Sequence, residues 1–376
     1  MLGNSDFEKD QSDPSGTKRS KPDKPGTAPP VSQSAALKRP PPPSDTYFTL
    51  RSNLPARKFE AENNARRAHV PILLALGVHL AAFLLLAAVA WSLRHAPLLT
   101  VLLVPIAALV VSVGYRGLEC LVHGAGHYDV LGIRRAALND FISDLLFAAP
   151  VFQSVKAFRA THLGHHVQQG GAGDPCRGRK LMKLAPDRDE LPTIWSVARR
   201  APSEALAFYR QVGSSPITLL RAVGWHIAAF VLLGFAVGDW GAFTAAWCAV
   251  YLPAFLAVLP VVRALGEAGE HDYRTATLSD RGRSELQRTI NNDGLLNWML
   301  HPFGDHFHIE HHEFPGVPQY NLYRLHAALM ENIPDYAVHA QCRTSVLGRP
   351  RRYAQKRPIR AGESIPANLN QPLEAL

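Results

Sequence analysis

Three packets of histidine stand at spacings that bring imidazoles together. In Asp305-His306-Phe307-His308-Ile309-Glu310-His311-His312, the residues His308, His311 and His312 are three and four apart, which puts their side chains on one face of a helix. The pattern recurs at His162, His165 and His166, and a two-residue form, four apart, at His123 and His127. Imidazole is a borderline donor suited to iron, zinc, copper and nickel. The four cysteines, Cys120, Cys176, Cys248 and Cys342, are scattered and build neither a redox cluster nor a disulfide framework. Eight imidazoles exceed what one metal holds, so the pattern predicts two metals sharing the set, and iron if the chemistry uses dioxygen. Neutral donors leave such a pair with high positive charge, and the residues around it then control access and tune it.

These packets need elements to hold them. The chain has 376 residues, a net charge of +9 and 47% hydrophobic residues, yet a mean hydropathy of −0.05, so its apolar and polar stretches are segregated. Val70 to about Trp91 is almost wholly apolar, interrupted only by His79, and has the ~20 residues needed to cross a bilayer. Comparable runs follow, and the predicted spans are about 70–91, 98–118, 217–237 and 241–262. Short breaks, residues 92–97 and Gly238-Asp239-Trp240, tie them into two hairpins. The expected fold is an all-α integral membrane protein of four transmembrane helices in two hairpins, with a helical cap (119–213 and 263–345) that carries the histidines, all within a domain over 66–345. Four such runs argue against a soluble core.

Charge orients the spans. Arg51, Arg57, Lys58, Arg66 and Arg67 precede the first, whereas the first hairpin turn carries only Arg94 and the second carries no basic residue. The positive-inside rule then puts both hairpin tips away from the cytoplasm, and both termini and all three packets on the cytoplasmic side, of the inner membrane if the cell is bacterial. Charge bias and histidine spacing are independent, and they choose the same face.

Outside this domain, residues 1–65 are rich in Pro, Ser and Lys, with the run Arg39-Pro40-Pro41-Pro42-Pro43, and read as a disordered tail. The first apolar run starts too late for a secretory signal. Residues 346–376 form a basic, Pro-containing tail with Arg349-Pro350-Arg351-Arg352, suited to anionic headgroups or an acidic electron carrier. No nucleic-acid partner is expected. Residues 138–150 are apolar but too short to span, and read as an interfacial helix. Metal-bound imidazoles usually donate their other N–H to a carboxylate or carbonyl, which makes Asp140 and Asp144 candidates for orienting the cage. Arg116 and Glu119, three apart, are expected to form a structural ion pair. His301 and His306 lie off the packet positions, and His69, His79, His95, His226, His326 and His339 have no partners at ligand spacing.

His123-Gly124-Ala125-Gly126-His127, then Phe158-Arg159-Ala160-Thr161-His162-Leu163-Gly164-His165-His166, Gly173-Asp174-Pro175, and finally His308-Ile309-Glu310-His311-His312-Glu313-Phe314-Pro315-Gly316-Val317-Pro318 resemble the three histidine boxes of the membrane fatty acid desaturase and hydroxylase superfamily, in its bacterial desaturase form. The resemblance covers about residues 65–345 and includes box order, the hairpin between boxes two and three, and the proline-rich exit from box three. It implies a four-helix membrane enzyme with a cytosol-facing non-haem diiron centre, dioxygen as co-substrate and a lipid or acyl substrate. It also implies another histidine after the fourth span. His271 stands there as a ninth ligand candidate, with Glu270 or Glu267 to orient it, and Asn297 is a candidate to reach the metals through water. The chain carries no fused cytochrome-type His-Pro-Gly-Gly segment, no Cys-x-x-Cys and no dinucleotide-binding glycine motif. A separate ferredoxin-, rubredoxin- or cytochrome b5-like donor is therefore expected.

The predicted activity is a dioxygen-dependent diiron fatty acid (acyl-lipid) desaturase. A lipid or carotenoid hydroxylase or ketolase on the same cage is the alternative, since spacing does not separate the two outcomes. A membrane metal-binding or transport protein is a third reading, against which the boxes cluster at one face instead of lining the spans. The Glu-x-x-His pairs of soluble carboxylate-bridged diiron bundles are not the pattern here, and the His-Glu-x-x-His of zinc proteases does not occur. Glu310 points off the histidine face.

Overall fold

The computed structural model describes residues 50–169, 173–175, 193–271 and 289–353, except 51, 52, 214, 347 and 349. The tail expected over 1–49, the residues after 353 and Cys176 lie outside the described residues. Among the described residues, four helices are each long and apolar enough to cross a membrane: His69–His95, Pro97–Gly126, Pro216–Val237 and Trp240–Gly269. The second and fourth run well past their predicted ends at 118 and 262. Hydropathy marks where a span leaves apolar surroundings, not where its hydrogen-bond ladder stops, and the polar extension of the second helix is what carries box one.

Only Ala96 separates the first two helices, and Pro97 opens the second at a position where its missing N–H costs nothing. The third ends on Gly238 at φ +76°, a left-handed stop that glycine adopts freely. Asp239 then caps the fourth by accepting from the Ala242 N–H at 3.1 Å. Arg94 pairs with Asp239 at 2.6 Å, so the two turns are neighbours at one end. The helix ends that lead to His123, His127 and His271 lie at the other. Ala75, Ala82, Leu86, Ala107, Val111 and Phe243 are among the residues that form the core between the helices, while Leu73, Leu80, Leu84, Val101 and Leu220 stay exposed. An apolar belt of that extent needs a bilayer to cover it. The fourth helix contains two π-helical segments, Trp247–Tyr251 and Ala254–Val258.

The stretch expected as an interfacial helix is Ala136–Ser143, continued by π and 3-10 turns to Val151, and it meets the box-two helix Val155–Gln168 at a bend of 86°. Leu138, Phe141 and Leu145, at helical spacing, are exposed along it. Asp144 makes the bend: one carboxylate oxygen accepts the Val155 N–H at 2.8 Å and the other pairs with Arg221 of the third span. Asp144→Ala is expected to cost about 1–2 kcal/mol, the worth of a lost helix cap, read as a lower melting temperature of the detergent-solubilised protein. An unchanged melting temperature would refute this capping role.

Two expectations are corrected here. The fold is not wholly α: β1 (Ile290–Asn292) pairs in parallel with β2 (Gln341–Arg343), which pairs antiparallel with β3 (Arg351–Arg352). Strands of two and three residues are too short to show a period of two, and β3 carries the folded chain past the predicted boundary at 345. At the other end, the tail expected to reach 65 contains the helix Leu54–Asn63, capped by Asn53. Leu50 and Ala56 bury with Leu322, Leu325, Leu329 and Tyr336 in a second core. That helix has little apolar periodicity of its own and is fixed by a partner about 260 positions away in sequence, such as Asn321, which donates to the carbonyl of Asn63.

Candidate metal centre

Box one sits at the C-terminal end of the second span, where helix carbonyls lack intrahelical partners. Arg159 of box two supplies them: Nε donates to the Gly126 carbonyl at 2.8 Å and Nη2 to the Ala125 carbonyl at 3.2 Å. Its guanidinium also lies 3.9 Å over the Tyr128 ring. Gly124 and Gly126 permit the approach, since a Cβ on Gly124 would meet Asp129 at 2.8 Å and one on Gly126 would meet Phe158 at 3.2 Å. Box three is the helix His308–Glu313. Asn291 of β1 accepts from the Ile309 N–H at 2.9 Å and donates to Glu310 at 2.9 Å, and the Asn292 N–H donates to the His306 carbonyl at 2.9 Å. The small sheet is thus the mount for box three. His326 and Tyr336 also bond the Glu310 carboxylate, which faces away from the cage as expected. Burial pushes that carboxyl up, but His326 and Tyr336 outweigh it and hold it below its usual range.

All nine histidines converge. Ring nitrogens of His123, His127, His162, His166 and His311 lie within 4.8 Å of one another, and so do those of His165, His271 and His312. His308 joins the second set through Glu270 and His271. The nitrogens face each other. His311 Nε2 is 2.7 Å from His123 Nε2 and 3.1 Å from His166 Nε2, while His271 Nε2 is 3.1 Å from both His165 Nε2 and His308 Nε2.

This donor set fits metal. Two ligands about 2.1 Å from one metal and at right angles to each other stand about 3.0 Å apart. The Asp305 carboxylate can only accept, so at 2.7 Å it accepts from the Nδ1–H of His123 and leaves Nε2 as a bare lone pair aimed at His311. Asp174 does the same to His165 at 2.9 Å. Burial, reinforced by neighbouring imidazoles, drives His162, His311 and His312 well below their ordinary value, and burial with His123 and Arg159 nearby lowers His127 to about 3. Neutral imidazoles with crowded lone pairs repel unless a cation lies between them, and His127 Nε2 is buried with no hydrogen-bond partner.

The residues that orient these rings are not those expected. Asp140 touches no histidine: it grips Arg159 through both oxygens, at 2.9 and 2.5 Å. Asp144 is the cap described above. Asn297 donates to the carbonyls of Asp293 and Arg343, bracing the sheet away from the cage. Glu270, expected to orient His271, lies with the ligand atoms of His271 and His308, 3.8 Å from His308 Nε2 and 3.4 Å from Arg116. His271 is held by Gln169, whose amide nitrogen is 2.6 Å from Nδ1. Asp305, Asp174 and Gln169 each stand within a few residues of a box or in the Gly-Asp-Pro that follows box two, and that proximity is the signal by which they could have been found. Asp305 also accepts from Gln319 at 2.9 Å and lies 3.7 Å from Arg116. Burial pushes its carboxyl up, yet His123, His301 and Arg116 outweigh that and hold it well below the usual carboxylate range. The expected Arg116–Glu119 pair is present at 3.3 Å, and Arg263 binds the other Glu119 oxygen. A cavity of about 310 Å³ opens against His123, His162, His165 and His308.

Among the described residues, three other than glycine adopt positive φ, all aromatic: Tyr128 (64°), Phe152 (57°) and Phe303 (60°). Tyr128 follows box one, and the other two precede the helices of boxes two and three. Backbone strain of this kind persists where surrounding structure over-determines it, commonly at functional sites.

Four membrane-length helices with a largely buried cage of nine imidazoles at one end define a membrane protein whose centre is suited to metal. A sequence model of the fatty acid desaturase family matches residues 98–344, and the chain belongs to that family. It is also similar to the dihydrorhizobitoxine desaturase of Bradyrhizobium elkanii, 25% identical over 260 residues, which is 62% of this chain and 70% of that protein.

Proposed function

We propose that this chain is a membrane fatty acid (acyl-lipid) desaturase that introduces a carbon–carbon double bond at two irons. His123, His127, His162, His166 and His311 would hold one iron, and His165, His271, His308 and His312, with Glu270 beside them, the other. The observation that carries this reading is the division of nine inward-facing imidazoles into two adjoining sets beside one cavity. When bound, the irons supply reduction of dioxygen and removal of two hydrogens from an unactivated alkyl segment, using electrons from a separate redox protein. The chain's own residues do the rest. Asp305 and Asp174 keep the rings of His123 and His165 in the tautomer that presents Nε2, and Phe158 stacks on the His162 ring at 5.0 Å and holds it in place. The cage and both termini face the cytoplasm, by the charge bias of the flanking segments.

Two histidines inside the spans argue against a transport path. His79 bonds the Leu146 carbonyl at 2.9 Å and His226 bonds Tyr251 at 3.1 Å, so neither continues the cage into the membrane. Gas chromatography–mass spectrometry of total lipids from cells expressing the protein with a competent electron donor tests the reading. A new unsaturated acyl chain is expected with the wild type and not with a cage variant. New hydroxylated products would replace desaturation by hydroxylation, and an unchanged lipid profile with iron-loaded, inserted protein would overturn the acyl substrate.

A further inference from the structure

Besides the cavity at the cage, a second space of about 520 Å³ lies between the third and fourth spans. Its walls include Val223, Ile227, Phe230, Trp247, Leu252 and Leu256. The polar atoms along it are turned inward: the Tyr209 hydroxyl donates to the Phe255 carbonyl at 3.0 Å, and that of Tyr251 donates to the Tyr115 hydroxyl at 2.7 Å. What remains is an apolar groove whose rim residues Val223, Ile227, Leu252 and Leu256 are exposed where lipid would lie.

One residue, Phe152, lines both spaces. The helix Ile194–Gly213 runs beside both as well, with Phe208 on the cage side and Tyr209 on the groove side. Phe152 is half-buried and held at φ +57°, with its ring stacked on His226 at 4.8 Å and edge-on to Phe255 at 5.9 Å and Tyr209 at 6.1 Å. Left-handed backbone at an aromatic residue is costly, and here it sets the ring between a membrane-facing groove and the histidines.

We propose that Phe152 is a specificity-determining residue of this site. The alkyl chain of the substrate enters sideways from the bilayer, lies in the groove between the third and fourth spans, and passes Phe152 to reach the cage, so the size of this side chain sets which chains fit. The inference rests on the acyl reading above.

Its test uses the full-length protein in phosphatidylcholine vesicles that contain a fatty acid with a terminal diazirine, photolysed and mapped by peptide mass spectrometry. Wild-type protein is expected to be labelled in the groove, within 223–256, and beyond Phe152, within 154–161. Phe152→Trp should cut the deeper label relative to Phe152→Ala by about tenfold, the scale on which an apolar pocket senses small changes of fit, with groove labelling retained and Phe152→Leu in between. In turnover, the product ratio from a longer and a shorter acyl chain should shift between the Ala and Trp variants by a similar factor. Deep labelling and product ratios that ignore residue 152, or no groove label in any variant, would overturn the proposal while a desaturating wild type kept the acyl reading. Residue-dependent deep labelling in a protein that makes no acyl product would support the gate and remove the acyl reading instead.

Discussion

His311→Ala should reduce turnover to background and lower the bound metal by up to about one atom per chain, because it removes the donor at which the ring nitrogens of boxes one and two meet box three. Its Nε2 is within 3.1 Å of ring nitrogens from both other boxes, so it joins elements far apart in sequence. The four spans bury different residues, Leu86, Val111 and Phe243 among them, and membrane insertion and helical content should therefore be kept. Elemental analysis of the purified protein beside lipid product analysis checks both halves. Full metal content with full activity would take His311 out of the site.

Asp305→Asn carries the second large effect, through two routes. It removes the obligate acceptor that holds the His123 tautomer, a change that typically costs 10-fold to 100-fold, roughly, in metal affinity or activity. It also leaves Arg116 with one buried partner fewer, Glu119 and Glu270 remaining at 3.3 and 3.4 Å, and breaking a buried pair costs about 3–5 kcal/mol at most. Both routes predict a protein that binds metal weakly and melts early, measured by metal titration and thermal unfolding in detergent. Wild-type metal affinity in Asp305→Asn would show that His123 does not depend on this carboxylate.

The four spans and the eight box histidines were legible because their signals are local, whereas His271 has no partner at helical spacing and was implied only by the family resemblance. A run of apolar residues is long or it is not, and histidines three and four apart share a helix face whatever else the chain does. The carboxylates that orient the rings were not legible in that way. Asp140 and Asp144 had the right chemistry near box two, but the chain spends them on Arg159 and on the Val155 N–H, because a 14-residue helix set at 86° to its predecessor needs its own anchors. Asp305 reaches His123 across 182 positions of sequence, a pairing fixed only when Gly304, at φ +96° and with no room for a Cβ against the Gln319 carbonyl, turns the backbone toward box one. The helix at Leu54 and the sheet were hidden for the same reason: their stabilising partners are distant, and their own segments are short.

Adjacent residues of boxes two and three fall into different sets, His165 from His166 and His311 from His312. One peptide step, about 3.8 Å between Cα atoms, therefore separates the two halves of the cage on each of two helices. Bilayers of different thickness are met by tilting spans, and such tilting would shear a centre assembled only from packed side chains. Here the separation is written into covalent bonds twice over, so the two halves of the cage keep their spacing along each of those helices even where the spans around them tilt.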